Sequence, residues 1–199
     1  MAGALHYLGC IIAVFAVFGT MVTLIHHEWK HTSDINSPGH LQSIHMDEGL
    51  WIRCTYPAPG LVQCDTFGKS MFTLPGELHA QRAMMILSQI CAFTGLVICL
   101  FSLPCTTVDP KLRLGRLAGC LLVVAGILCL IPVSMYAADV VRDFRSPIEK
   151  DFKYTFGPTL YIGWLSAGLS ILSGIIIGFC ARDLVDFESD AYMEKTAYI

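Results

Sequence analysis

Residues 29–64 read WKHTSDINSPGHLQSIHMDEGLWIRCTYPAPGLVQC. This is the one long polar stretch of the chain. It carries Trp29, then Gly49-Leu50-Trp51, then Cys54 and Cys64. Nine residues separate the two cysteines around Pro57-Ala58-Pro59-Gly60, a spacing that fits two antiparallel strands joined by a turn and stapled by a disulfide. Closing a loop of about ten residues contributes on the order of 2–3 kcal/mol in the chain-entropy model, a large share for a small sheet with little core of its own. Such a bond requires the oxidising side of a membrane; two unpaired thiols are the other reading. Trp29 and Trp51 are large apolar residues in polar surroundings and are expected to fill the inner face of that sheet.

Everything around this stretch reads as a membrane mount. The 199 residues are 54% hydrophobic and 15% charged, with a mean hydropathy of +0.59, far above a soluble domain. Four uncharged runs, 8–25, 83–103, 117–138 and 159–181, are each near the ~20 residues that a helix needs to cross the hydrocarbon core. The first has no basic n-region and no Ala-x-Ala-like cleavage site after it, so it is expected to be retained. Four spans put both termini on one side. They leave a first outer segment at 26–82, a cytoplasmic loop at 104–116, a second outer segment at 139–158 and a tail at 182–199, all within a single domain of residues 1–199. Lys111, Arg113 and Arg116 against Asp109 mark the 104–116 loop as cytoplasmic. The outer segments carry more Lys and Arg in total, but the first is too long for the charge rule to weigh heavily. The disulfide therefore decides the orientation, with both termini in the cytoplasm.

The outer segment alternates as short strands near 29–32, 41–46, 50–56 and 61–66 would. Residues 69–74 fit a helical turn on the membrane, its apolar side formed by Met71, Phe72 and Leu74. That side could rest on lipid and sheet or meet a neighbouring protomer. Pro132 falls inside the third span and is expected to bend it. Gly115 and Gly119, and Ser170, Gly174 and Gly178, are small residues at four-residue spacing that let helices approach closely. Cys10, Cys91, Cys99, Cys120 and Cys129 lie in spans, where a thiol serves as a small apolar residue. Cys105 and Cys180, at the cytoplasmic edge, are candidates for S-palmitoylation.

Several function classes find no footing. The formal charge of −3 comes with no basic patch for nucleic acid. No nucleophile elbow, phosphate loop or intramembrane carboxylate pair is present, so no catalytic residue, cofactor or enzymatic activity is expected. The six histidines outside the spans (His26, His27, His31, His40, His45, His79) show no metal-ligand spacing and read as ordinary surface residues. With no ionisable side chain inside the spans, a transport path through the bundle has nothing to line it.

Trp29, Gly49-Leu50-Trp51, Cys54 and Cys64, followed by Arg82 at the start of an apolar run, together resemble the first extracellular segment of the claudins. The resemblance extends over about residues 5–185. It takes in Arg82-Ala83-Met84-Met85, Ile131-Pro132-Val133-Ser134, Asp143-Phe144 with Pro147, Phe156-Gly157 and Leu160-Tyr161-Ile162-Gly163-Trp164. The final Tyr198-Ile199 is similar to the family's PDZ-binding end. The resemblance implies an all-α transmembrane four-helix bundle with a small extracellular antiparallel β-sheet of five strands, four from the first outer segment and one from the second.

In function it implies a tight-junction protein of the plasma membrane that polymerises with itself and other claudins in cis and trans. The strands so formed make a paracellular barrier or a charge-selective channel. Met71 and Phe144 would lie in the lateral contact, Phe144 and Pro147 in the loop facing the opposing cell. Asp65 would occupy a pore position where a carboxylate favours cations. PDZ scaffold proteins and membrane lipids would be the other partners, with no nucleic acid. The chain departs from the family pattern at Lys30, Arg145 and Thr155. The competing reading is a four-span auxiliary subunit of a receptor or channel, which Tyr198-Ile199 disfavours.

Overall fold

The computed structural model describes residues 2–33, 45–56, 61–66, 76–103, 111–145 and 153–197. Its elements are helices α1 (Ala2–Ile25), α2 (Gly76–Phe101), α3 (Lys111–Arg145) and α4 (Pro158–Ala197), and strands β1 (Lys30–Ser33), β2 (His45–Glu48), β3 (Ile52–Tyr56), β4 (Gln63–Thr66) and β5 (Lys153–Phe156). Each helix contains a stretch long and apolar enough to cross a membrane: Ala4–Ile25, Gly76–Phe101, Arg113–Arg142 and Pro158–Ala181. The helices outrun the uncharged segments because hydropathy marks where lipid begins, not where backbone hydrogen bonds stop. Thus α3 continues past Asp139 and Arg142, which pair at 3.4 Å one turn apart.

All strand pairs are antiparallel, in the order β4-β3-β2-β1-β5. Four strands come from the segment between α1 and α2, and the fifth from between α3 and α4. Of the expected second strand 41–46, residues 41–44 lie outside the described residues and 45–46 begin β2. The register of β2 is fixed by the pairs His45↔Tyr56 to Glu48↔Arg53 and by the short link 49–51. Residues 57–60 and 69–74 lie outside the described residues.

The chain divides into two compact units, one of Met1–Gly19, Leu87–Leu128 and Leu165–Ile199, the other of Thr20–Ile86 and Cys129–Trp164. In the first, Cys10, Ala13, Cys99, Ala118, Leu122 and Ile177 form the buried core. Serine hydroxyls join its helices: Ser88 Oγ donates to Ala125 O at 2.8 Å, Ser170 Oγ to Leu122 O at 2.8 Å and Ser173 Oγ to Gly9 O at 2.9 Å. Such bonds contribute about 0.6–2 kcal/mol each where lipid offers a hydroxyl no alternative. At Gly119 an added Cβ would stand 2.7 Å from Gly174 O and 3.0 Å from Gly178 N. The small-residue series is therefore where the backbones of α3 and α4 touch. Phe15, Phe18, Phe93, Leu165 and Phe179 are exposed, as suits a surface facing hydrocarbon.

One expectation is corrected. Cys10 and Cys99 do not act only as small apolar residues; they are bonded to each other, with Cα atoms 6.4 Å apart and a sequence separation of 89. Because α1 and α2 run antiparallel here, the start of one meets the end of the other, an adjacency that sequence spacing does not encode. In the chain-entropy model a loop of this length restricts the unfolded chain by on the order of 4 kcal/mol. Non-reducing peptide mapping is expected to recover a Cys10–Cys99 cross-link beside Cys54–Cys64. The double variant Cys10→Ala/Cys99→Ala should unfold at lower temperature in detergent; an unchanged midpoint would contradict the tie.

Candidate functional site

The second unit is built around the C-terminal end of α1. Because α1 stops at Ile25, the helix supplies no further N–H of its own to its last carbonyls. The His26 N–H donates to Val22 O at 2.9 Å. The next two acceptors are met by side chains: the Trp29 indole N–H donates to Thr23 O at 3.1 Å and the Trp51 indole N–H to Leu24 O at 2.9 Å. The two tryptophans thus cap the helix from which the sheet emerges. Trp29 is fully buried, and its ring meets Tyr136 edge-on with centroids 5.0 Å apart.

Gly49-Leu50-Trp51 links β2 to β3. A Cβ at Gly49 would lie 2.5 Å from His27 Cα, so only glycine permits the backbone to pass there. Leu50 is fully buried. Its carbonyl accepts a hydrogen bond from Arg82 Nε at 2.9 Å, and the same guanidinium lies 4.9 Å from the centre of the Trp51 ring. Trp29, Gly49, Leu50, Trp51 and Arg82, far apart in sequence, form one anchor.

Above this anchor the sheet presents two rows. Cys54 and Cys64 stand directly opposite on β3 and β4 and are bonded. On the other face the partners Lys30↔Glu48, Glu48↔Arg53 and Arg53↔Asp65 form a row of alternating charge. Glu48 lies 3.2 Å from Lys30 Nζ and 3.0 Å from Arg53 Nη2. Partial burial alone would lower the Arg53 pKa, but the Glu48 hydrogen bond and charge outweigh it and hold it above its ordinary value. Lys30 also lies 4.4 Å from the centre of the Tyr154 ring. Asp65 is exposed on the edge strand β4, every residue of which is exposed.

The remaining sequence candidates fall as follows. Pro132 lies inside α3 and is buried. Cys180 is 1% exposed, so an acyl thioester there would require the side chain to turn out of its packing. Phe144 is in α3, its side chain outside the description, and Met71, Cys105, Pro147, Tyr198 and Ile199 lie outside the described residues. Sequence reading missed the grouping of His31, His45 and Asp47, whose ligand atoms lie within 4.8 Å of one another. The available signal was His45 and Asp47 two residues apart on one strand face; the third member comes only through register.

A sequence model of the PMP-22/EMP/MP20/Claudin family matches residues 4–177. The chain is 34% identical to the claudin-like protein ZF-A89 of Danio rerio over 178 residues, covering 87% of this chain and 85% of that protein. It is 32% identical to Claudin-3 of Homo sapiens over 182 residues, covering 89% and 82%. To Claudin-15 of Bos taurus it is 33% identical over 191 residues, covering 92% and 80%.

The anchor can be tested by keeping the ring and removing the donor. Trp29→Phe removes the indole donor to Thr23 O and is expected to cost about 1–3 kcal/mol, read as a lower midpoint in thermal unfolding of the detergent-solubilised chain. Trp29→Ala should cost more, about 3–5 kcal/mol, because a cavity adds to the lost bond.

Proposed function

The chain belongs to the PMP-22/EMP/MP20/claudin family, and on that premise we propose that it is a tight-junction structural protein, polymerising by cis and trans contacts into strands that govern the paracellular space. The nearly full-length match to the family carries this reading. In it, the sheet is extracellular, both termini are cytoplasmic, and the chain associates with copies of itself and other claudins. Tyr198-Ile199 docks on PDZ scaffolds by strand addition, its carboxylate held in a nest of backbone amides.

Among the described residues β4 forms an edge of the sheet, which supports lateral assembly. An exposed edge strand carries unpaired backbone donors and acceptors, and here β4 follows Leu61 and Val62, which are 91% and 55% exposed. Met71, Phe144 and Pro147 extend the same proposal to the neighbouring and opposing protomers. For selectivity, the exposed Asp65 would lower the energy of cations in a narrow aqueous gap, where the local dielectric is below that of bulk water. Arg53, its cross-strand partner, shares its charge with Glu48, which leaves Asp65 less fully offset than pairing with a lone arginine would. A barrier is the second reading, favoured if that offset is complete.

Expression in cells without endogenous claudins should produce strands at contacts. Dilution potentials should give a cation preference that Asp65→Asn lowers at least about twofold, equivalent to ~0.4 kcal/mol per ion. An unchanged ratio would leave the barrier reading in its place, and an absence of strands would favour an auxiliary subunit. Deleting Tyr198-Ile199 should reduce enrichment at contacts without abolishing surface expression; full retention would mean that extracellular contacts suffice.

A further inference from the structure

The face of the sheet opposite the charge row carries a cluster that the paracellular reading does not use. Strand register sets His31 on β1 directly across from Asp47 on β2, and His45 lies two residues before Asp47 on the same face. Asp47 Oδ1 lies 2.5 Å from His31 Nδ1 and 2.9 Å from His45 Nε2. The two imidazole rings stack with centroids 5.6 Å apart. We propose that His31, His45 and Asp47 form a transition-metal site that takes Zn2+ in preference to Ca2+ or Mg2+.

Three features carry the assignment. The donor set is two imidazoles and one carboxylate, which suits Zn2+; the harder cations take oxygen ligands. Tetrahedral Zn2+ with bonds of ~2.0–2.1 Å holds its ligands about 3.3 Å apart, and all three donor atoms here already lie within 4.8 Å of one another. Displacement of well under a residue's reach completes the site.

The carboxylate is the rigid member. Its side chain is 6% exposed, against 23% for His31 and 45% for His45, so an ion would reach it from the side of the histidines. The surroundings are anionic: Asp47 forms a second trio with His27 and Glu28 within the same 4.8 Å limit, bringing two carboxylates together. Tyr56 packs on the same face, its ring 5.7 Å from that of His45, where an outer partner would help to fix a ligating carboxylate.

The test uses the full chain, stripped with EDTA, in detergent micelles, and purified through an affinity tag that contains no histidine. Titration with ZnCl2 by calorimetry is expected to give one tight site per chain, with a Kd of about 10 µM or lower, that excess Ca2+ and Mg2+ leave in place. Co2+ in its stead should give the absorption of a tetrahedral centre. His31→Gln/His45→Gln should remove that site, and His45→Gln alone should weaken it at least about tenfold, or ~1.4 kcal/mol. His45 is half exposed, so the single variant still decides if the double variant fails to retain the Cys54–Cys64 cross-link. Zinc binding of undiminished affinity and stoichiometry in His45→Gln, or no binding by the parent chain at 100-fold higher concentration, would overturn the assignment.

Discussion

A helix that ends at a membrane surface leaves carbonyl oxygens pointing where neither lipid nor the next turn can satisfy them. In this chain two of those oxygens, Thr23 O and Leu24 O, are bonded by indole N–H groups from the sheet. The consequence is mutual. The end of α1 is completed only when the sheet is in place, and the sheet is oriented by the two directional bonds it makes to α1. Arg82 extends the arrangement to α2 by holding the Leu50 carbonyl and covering Trp51. A cysteine cross-link fixes β3 to β4, but it is the tryptophan pair that fixes the sheet to its mount.

The sheet's two faces then divide the chemistry between them. Since alternate residues point to opposite sides, the partners Lys30, Glu48, Arg53 and Asp65 share one row while His31, Asp47, Cys54 and Cys64 share the other. Opposite charges directly across from each other stabilise neighbouring strands by about 0.2–1 kcal/mol per pair. The alternation of sign along the first row therefore helps to set the register, and the register in turn creates the imidazole and carboxylate grouping on the other side. A one-residue slip would exchange the two rows.

Much of this was legible in the residues. Hydropathy gave four apolar runs, and the polar stretch with its tryptophans, Gly-Leu-Trp and paired cysteines gave the sheet and pointed to the claudins, the family to which the chain belongs. What the sequence did not carry was adjacency between distant segments. Cys10 and Cys99 look like ordinary intramembrane thiols until α1 and α2 are set antiparallel. His31 and Asp47 are unremarkable until β1 and β2 pair. Trp29 is buried and Trp51 partly so, but the donor role of the two indoles depends on where α1 stops, which hydropathy locates only approximately.

The fifth strand has a consequence for biogenesis. β1 pairs on one side with β2, close by in sequence, and on the other with β5, matching Lys30 to Phe156. During synthesis, β1 therefore emerges with a free flank that stays unmatched until the third helix has been made and inserted. Contacts of such long sequence separation form late and leave strand edges open to wrong partners in the interim. A nascent chain stalled before the fifth strand would carry a sheet with one flank of β1 unmatched, which makes the interval between the making of β1 and that of β5 the stage most exposed to misassembly and to quality control.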